Sequence, residues 1–301
     1  MEFSLEPRRP FRLDLTVWAL RRRPSNIVDR WDGQAYRRTV VLNHRAREMA
    51  VVQTGGADTA RLRVSVAGMR LGVTAVRQLT AQLERQLGLS VDLTPFYCFA
   101  AHHPPLARLA QRFRGLKPPR FPSVFETLVN AVACQQISLE AGLALLNRLA
   151  VTFGPSLAAA HGFPQPADLA GRDPQQLRGL GFSTNKSRAL LGMAEAVHGG
   201  ELDLEALAAL DDAEALRRLV QLRGVGRWSA EYVLLRGLGR THVFPADDVG
   251  ARKRLAQWLG LSEPLDREGV QRTLAHWQPF AGLVYFHLLL LGLVERGVLG
   301  K

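Results

Sequence analysis

The segment LRGVGRWSA, residues 222–230, decides the fold of this chain. Two glycines, Gly224 and Gly226, lie in a turn that precedes a helix predicted from about Trp228 to Leu238. Glycine adopts backbone dihedral angles that other residues avoid, so the turn can expose bare N–H groups at the start of this helix. Such groups bind phosphate, and carbonyl groups of the turn could hold a monovalent cation against it. The alternative is an ordinary glycine-containing turn between two helices.

The composition indicates a folded chain with an anionic partner. The 301 residues are 47% apolar and 22% charged, which is typical of a soluble globular protein. The length favours two domains over one large domain. Basic residues outnumber acidic ones by 39 to 27, which gives a net charge of +12. This excess favours nucleic acid over an acidic protein as the partner.

The cysteine count and the N-terminal sequence predict a cytoplasmic protein without a metal cofactor. Cys98 and Cys134 are too few for a structural zinc or an iron-sulfur cluster, and the histidines lack metal-ligand spacing. The chain begins Met-Glu-Phe, with no apolar signal segment. The most apolar stretch, residues 280–294, is too short to cross a bilayer, so we expect a buried helix and no membrane partner.

Residues 1–105 are predicted to form an α+β domain. Apolar or alternating runs at 39–42, 50–52 and 62–66 indicate an antiparallel meander, and apolar residues spaced by three and four predict a helix that ends at Gly88. The sequence His-His-Pro-Pro at 102–105 interrupts regular structure and marks the predicted domain boundary.

Residues 106–301 are predicted to form an irregular α-helical domain. Capping boxes begin at Ser123 and at Asp211, each with a glutamate three residues later, and glycine- and proline-containing breaks divide the rest into short helices. The chain is therefore expected to be mainly α, with an antiparallel sheet confined to its N-terminal part.

A second motif follows the glycine-rich turn. Residues 243–254, VFPADDVGARKR, place Asp248 twenty residues after Trp228. Together the two motifs resemble the helix-hairpin-helix superfamily of base-excision DNA glycosylases, and most closely its alkylbase branch, the 3-methyladenine DNA glycosylase II type. The resemblance covers nearly the whole chain and implies an N-terminal α+β domain before the helical glycosylase domain.

The resemblance assigns Asp248 as the catalytic aspartate. Breaking the bond between base and sugar develops positive charge on the deoxyribose, and a fixed, ionised carboxylate stabilises that charge. The start of the following helix would favour the ionised form. Asp247 is interpreted as a helix N-cap. Adjacent helical positions point about 100° apart, so the two aspartates are not expected to act as an acid/base pair.

The resemblance also implies what the reaction lacks. Trp228 occupies the position of the lysine with which strand-cutting relatives form an imine, so water must be the nucleophile. The four cysteines of the iron-sulfur-bearing relatives are absent after Cys134. These differences predict a cofactor-free, monofunctional enzyme, which we expect to be a monomer.

Three residues are predicted to line the pocket for the damaged base. Trp228 and Tyr232 share one helix face, and by the resemblance they form an aromatic wall that suits a cationic purine such as 3-methyladenine or 7-methylguanine. Core packing is the alternative for both. Leu289 stands where the branch usually has another aromatic residue.

Base flipping requires a side chain that fills the gap in the duplex. The resemblance places Gln136 at the inserting tip with Gln135 beside it, although two glutamines at a turn are also consistent with an ordinary surface. Phosphate contacts are assigned to Gly224, Val225, Gly226 and Arg227. Lys186 and Arg188 are further candidates, with solvated charge as the alternative, whereas Arg21, Arg22 and Arg23 are interpreted as a solvated run.

The sequence therefore predicts a DNA glycosylase that hydrolytically excises alkylated purines from double-stranded DNA and leaves an abasic site. Two alternatives remain open. One is a non-catalytic protein that binds DNA lesions, although phosphate binding alone needs neither Asp248 nor the aromatic pair. The other is a glycosylase for deaminated bases such as hypoxanthine or uracil. The oligomeric state and the role of the N-terminal domain are not readable from the chain.

Overall fold

The N-terminal part of the chain is built on an antiparallel sheet. In a computed structural model, which describes residues 2–68 and 71–300, five strands pair in the order β1-β5-β4-β3-β2. The strands are β1 Glu2–Leu5, β2 Arg30–Trp31, β3 Ala35–Leu42, β4 Arg45–Thr54 and β5 Arg61–Val66. The predicted meander corresponds to β3, β4 and β5, and the edge strands β1 and β2 complete the sheet.

Alternation of side chains explains why these segments form strands. Val64 and Val66 of β5 are buried whereas the intervening Ser65 is half-buried, and Met49 and Val51 of β4 are buried in the same way. One face of the sheet therefore packs into a core, as expected for an antiparallel sheet covered on one side.

The rest of the chain is almost entirely helical. The helices are α1 Leu13–Arg21, α2 Val73–Leu87, α3 Thr94–Ala101, α4 Pro104–Arg112, α5 Val124–Cys134, α6 Leu139–Phe153, α7 Pro166–Leu169, α8 Pro174–Gly179, α9 Thr184–His198, α10 Asp212–Gln221, α11 Arg227–Arg236, α12 Val249–Trp258, α13 Arg267–Ala275 and α14 Ala281–Glu295. A small strand pair, β6 Ser156–Leu157 with β7 Ala160–His161, interrupts them. The predicted fold class is confirmed, and α2 ends at Gly88, whose φ of 62° is left-handed.

Three apolar cores connect these elements. One lies between the sheet, α1 and α2; the second is built from α5 to α11; the third joins α3 and α4 to the last three helices. Helix α1 belongs to two cores, with Val17 facing the sheet and Leu15 facing the C-terminal helices. The predicted domain boundary, between residues 105 and 106, falls in the first turn of α4, and α4 shares a core with α3; the boundary itself stays a prediction.

A buried polar network fixes α5 to the sheet. The guanidinium of Arg38 on β3 donates to Asp29 at 2.7 Å and to Glu126 of α5 at 2.6 Å, and all three side chains are buried. Ser123 caps α5 as predicted, accepting from the backbone N–H of Glu126 at 3.0 Å. The Glu126 carboxylate does not complete the predicted capping box, because it is paired with Arg38.

The arginine run at 21–23 corrects a prediction. Arg21 and Arg22 are only 5% and 4% exposed, so they are not a solvated run. Arg21 donates to backbone carbonyl oxygens, and Arg22 donates to Asn130 Oδ1 at 2.7 Å and to Tyr232 Oη at 3.1 Å. Arg23 pairs with Glu140 at 2.6 Å. The run therefore ties the end of α1 to α5 and α11.

The apolar segment near the C-terminus forms the buried helix α14, as predicted. Among residues 2–68 and 71–300, the structure contains no helix long and apolar enough to cross a membrane. His287 lies in the middle of α14 beside the ring of Phe96, and burial lowers its pKa to about 4. Its ring is therefore neutral in the folded protein at neutral pH.

The buried neutral histidine predicts acid sensitivity. Because His287 has a pKa near 6.5 when unfolded and about 4 when folded, the unfolded state binds the proton more tightly. Stability is then complete above pH 6.5 and falls as the pH decreases toward 4, with about 2 kcal/mol lost at pH 5. Urea unfolding of His287→Leu should lose about 2 kcal/mol less between pH 7 and pH 5 than the unmodified protein. The exposed His198→Gln is the control; an unchanged pH dependence in His287→Leu would contradict this account.

Candidate active site

A cleft of about 1000 Å³ opens where three turns meet. The turns are the connection between α5 and α6, the glycine-rich hairpin between α10 and α11, and the loop that leads into α12. Predicted site residues that line it are Gln135, Gln136, Gly224, Gly226, Arg227, Trp228 and Asp248. The fold therefore brings together residues that lie more than 100 positions apart in the sequence.

Asp248 is held by two hydrogen bonds from different elements. It is the N-cap of α12, and its Oδ1 accepts the backbone N–H of Ala251 at 2.9 Å. Its Oδ2 accepts the hydroxyl of Tyr285, on α14, at 3.1 Å. The two donors fix the orientation of the carboxylate. The interpretation of Asp247 as the N-cap is therefore wrong, because Asp248 itself occupies that position.

Tyr285 is a site residue that the sequence did not reveal. Burial, and next the charge of Asp248, raise the pKa of Tyr285 well above its usual value, so the phenol remains a donor. The sequence signal for this role was the hydroxyl group of Tyr285 within the mostly apolar helix α14. Its partner Asp248 lies 37 residues away. Such a hydroxyl group needs a partner when buried.

Asp247 also lines the cleft, but its carboxylate belongs to a second cluster. Its carboxylate pairs with Arg267, at the start of α13, and Arg267 also pairs with Glu231 of α11. The two adjacent aspartates thus have different partners, consistent with the prediction that they are not an acid/base pair.

Of the three predicted pocket residues, Trp228 lines the cleft. The ring of Tyr232 packs behind it with centroids 5.6 Å apart, and Tyr232 is only 3% exposed. Leu289 packs among the C-terminal helices and is not part of the cleft lining. The positions of Tyr232 and Leu289 agree with core packing. The predicted roles in base binding stay predictions, and in this conformation Tyr232 would act through Trp228.

The turn after α5 is connected to the hairpin by Gln135. Its amide nitrogen donates to Gly224 O and to Ser229 Oγ, both at 2.8 Å. Gln136 follows with a left-handed φ of 57° and is exposed. The geometry therefore separates the two glutamines: Gln135 holds the turn in place, whereas Gln136 projects from it.

Lys186 is engaged within the protein. Its ammonium donates to Ala133 O at 3.0 Å and to Gln135 O at 2.8 Å, and burial lowers its pKa. It thus stabilises the turn that carries the glutamines, whereas Arg188 is exposed. The predicted phosphate contact of Lys186 would require it to leave these carbonyls.

The hairpin has one glycine that geometry requires. Gly224 has a φ of 79°, and a Cβ there would lie 2.7 Å from the Ala189 side chain. At Gly226 no atom lies within 4 Å of an added Cβ. Val225 packs into the core, and its N–H donates to Leu222 O at 3.0 Å. Phosphate would therefore meet the N–H groups of the first turn of α11, which have no partners within the helix.

Metal binding has no support from side chains. Within the described ranges, no three His, Cys, Asp or Glu side chains are grouped as they would be around a metal ion. The predicted monovalent cation would have to bind backbone carbonyl oxygens of the hairpin, and one of these, Gly224 O, already accepts from Gln135.

Comparison with known proteins identifies the family. Residues 129–279, half of the chain, match the HhH-GPD superfamily base excision DNA repair protein family. The chain belongs to this helix-hairpin-helix family, as predicted from residues 222–254. The matched region includes the turn after α5, the hairpin and the loop before α12, which are the three walls of the cleft.

Individual relatives agree with this assignment. The chain is 29% identical over 215 residues to a DNA-3-methyladenine glycosylase of Bacillus subtilis, covering 70% of this chain and 71% of that protein. It is similar to the solved 3-methyladenine DNA glycosylase from Archaeoglobus fulgidus, with a TM-score of 0.82, 26% identity and coverage of 96% and 97% of the two chains. It also resembles the Schizosaccharomyces pombe 3-methyladenine DNA glycosylase solved with abasic DNA, with a TM-score of 0.57, 28% identity and coverage of 65% and 95%. The class predicted from the sequence, a base excision repair glycosylase, is confirmed.

The hairpin geometry predicts the effect of substitutions at Gly226. Gly226→Asp should fold normally, because the site has space for a side chain, but should weaken duplex binding about tenfold by placing a negative charge where phosphate docks. Gly226→Ala is the matched control and should bind nearly as well as the unmodified protein. Fluorescence anisotropy with an undamaged duplex over a range of salt concentrations measures both. Equal affinities for the three proteins would exclude the hairpin as the docking element.

Proposed function

We propose that the protein is a monofunctional DNA glycosylase that excises alkylated purines, such as 3-methyladenine and 7-methylguanine, from double-stranded DNA. The observation that carries this proposal is the carboxylate of Asp248, fixed by two donors in the wall of a cleft that also contains Trp228. The names of the relatives support the substrate class. The proposal includes that the protein acts on DNA as a monomer in the cytoplasm.

The proposed role of Asp248 is electrostatic. When the glycosidic bond breaks, positive charge develops on the sugar, and an anion already in place stabilises it without reorganisation. The hydrogen bonds from Ala251 and Tyr285 prevent the carboxylate from turning away. A positively charged alkylated base is a good leaving group, so little protonation of the base is required.

Trp228 is proposed to stack on the flipped base. Its ring forms part of the cleft wall and is supported from behind by Tyr232. An indole ring attracts a cationic purine by about 0.5–2 kcal/mol, and this preference favours alkylated over normal bases. Gln136, which is exposed at the turn, is proposed to fill the gap that the base leaves in the duplex.

Water is proposed as the nucleophile. A covalent imine would need a free amine in the cleft, and the described part of the cleft lining contains no lysine. The amine of Lys186 donates to two carbonyl oxygens, of Ala133 and Gln135, and is thus engaged within the protein. The reaction should therefore end at an abasic site with an intact strand.

The two alternatives differ from this proposal in measurable ways. A non-catalytic lesion-binding protein would bind methylated DNA and release nothing. A glycosylase for deaminated bases would release hypoxanthine or uracil faster than alkylated purines. Incubation with methylated, hypoxanthine-containing and uracil-containing duplexes, followed by mass spectrometry of the free bases, distinguishes all three.

The proposed role of Asp248 predicts that its substitution lowers base excision but not DNA binding. Asp248→Asn retains the size of the side chain but removes its charge, so we expect base excision to fall by about three orders of magnitude with duplex affinity within threefold of the unmodified protein. Asp247→Asn, one residue away, is the matched variant and should lose far less. Single-turnover release of 3-methyladenine measures the rate, and the reverse order of the two variants would transfer the role to Asp247.

Because the described part of the cleft lining contains no lysine, we expect the product to be an abasic site in an unbroken strand. Free alkylated base should appear while the strand stays intact until alkali or heat is applied. Borohydride, which reduces an imine between enzyme and DNA to a stable adduct, should trap nothing. An adduct that forms in proportion to base release would show that an amine of this chain is the nucleophile and would contradict monofunctional hydrolysis.

A further inference from the structure

A partly buried ionic cluster lies against the loop that carries Asp248. Glu231 of α11, whose side chain is only 8% exposed, accepts the backbone N–H of Ala246 at 3.2 Å. Arg267, at the first position of α13, pairs with Glu231 through one nitrogen and with Asp247 through the other. The cluster therefore contacts both residues that immediately precede Asp248.

The conformation of the loop, residues 244–248, depends mainly on contacts with neighbouring helices. It contains no regular structure, and its internal hydrogen bond, from Asp248 N–H to Pro245 O at 3.0 Å, closes the turn without attaching it to a neighbouring element. Phe244, Pro245 and Ala246 are buried. Polar contacts attach the loop to three helices: Tyr285 of α14 binds Asp248, Glu231 of α11 binds Ala246, and Arg267 of α13 pairs with Asp247.

Glu231 also fixes the loop relative to Trp228. The two residues are three positions apart on α11 and so lie on neighbouring parts of one helix face. Because a helix is rigid over one turn, a loop bound to Glu231 keeps a fixed distance from the ring of Trp228. Base stacking and charge stabilisation would then act on the same nucleotide.

We propose that Glu231 and Arg267 are positioning residues for base excision: they hold the loop 244–248 so that Asp248 faces the sugar of a base bound beside Trp228. This inference rests on the proposed function. Misplacement of a reacting group by about 1 Å can cost about 100-fold in rate, so a small shift of this loop would be visible in kinetics.

A contribution to stability alone does not explain the cluster well. Burying an ion pair costs solvation free energy, and apolar replacements of buried pairs are often neutral or stabilising. This cluster instead fixes direction, since the Glu231 carboxylate accepts a backbone N–H of the loop and Arg267 bridges two carboxylates with a planar, two-pronged group. A further arginine, Arg227 of the hairpin, donates to Glu231 at 3.2 Å but is 58% exposed, so a DNA phosphate can engage it while Arg267 still neutralises Glu231.

The experiment compares excision with binding in matched variants. Glu231→Gln and Arg267→Gln should each lower single-turnover release of 3-methyladenine about 100-fold, with affinity for an abasic duplex within threefold of the unmodified protein. Arg267→Lys retains the charge but cannot bridge both carboxylates, so it should recover part of the rate. Arg272→Gln is the control, because Arg272 lies on the same helix and pairs with Glu268 at the exposed surface; its rate should be unchanged.

A double variant tests whether the two residues act together. Glu231→Gln combined with Arg267→Gln should be no slower than the slower single variant, because each change already releases the loop. Multiplication of the two losses would overturn a shared role. Rates within threefold of the unmodified protein, or losses of rate matched by losses of abasic-duplex affinity, would also overturn the proposal.

Folding and the proposed function are checked separately. Thermal unfolding by circular dichroism establishes that each variant is folded at the assay temperature; if Arg267→Gln is not, Arg267→Lys and Asp247→Asn provide the test, and unchanged rates in both would refute the inference. Failure of the unmodified protein to release any alkylated base would refute the proposed function itself. An active unmodified protein with fully active Glu231 and Arg267 variants would refute only the positioning role.

Discussion

The proposed chemistry depends on one constraint, which is that the carboxylate of Asp248 stays fixed in the wall of a cleft. An aspartate on a mobile loop would spend its time hydrated and turned toward solvent. Here the start of α12 supplies one donor and Tyr285 of α14 supplies the other. Helix α14, which contributes no residue to the described lining of the cleft, therefore has a direct connection to the proposed chemistry through Tyr285.

The remaining walls of the cleft depend on links between distant segments. Gln135 binds the turn after α5 to the hairpin, and Lys186 stabilises the same turn from α9. Helix α5 is in turn anchored to the N-terminal sheet through Arg38 and Glu126. The N-terminal part of the chain thus contributes to the site indirectly, by fixing the helix from which Gln136 projects.

Local signals in the sequence predicted the elements that depend on neighbouring residues. Gly224 requires its left-handed backbone conformation within a single turn, Gly88 ends its own helix, and alternation within each strand determines which face is buried. The resemblance to the glycosylase family added the assignment of Asp248. These features are readable because the interacting residues lie within a few positions of each other.

The features that the sequence did not reveal are those that join distant residues. Tyr285 meets Asp248 across 37 positions, Arg267 meets Glu231 across 36, and Gln135 meets Ser229 across 94. The burial of Arg21 and Arg22 follows from acceptors on other elements, so a run of three arginines gave no local indication of it. Charge and hydroxyl patterns identify groups that need partners, but only the packing of the helices determines which partners they meet.

The most direct measurement is a crystal structure of the protein with a duplex that contains a pyrrolidine abasic analogue, whose protonated nitrogen mimics the positive charge of the reacting sugar. The account predicts that a carboxylate oxygen of Asp248 lies about 3 Å from that nitrogen, with the Ala251 and Tyr285 hydrogen bonds intact. A complex in which the nitrogen faces Asp247, or no carboxylate at all, would contradict it.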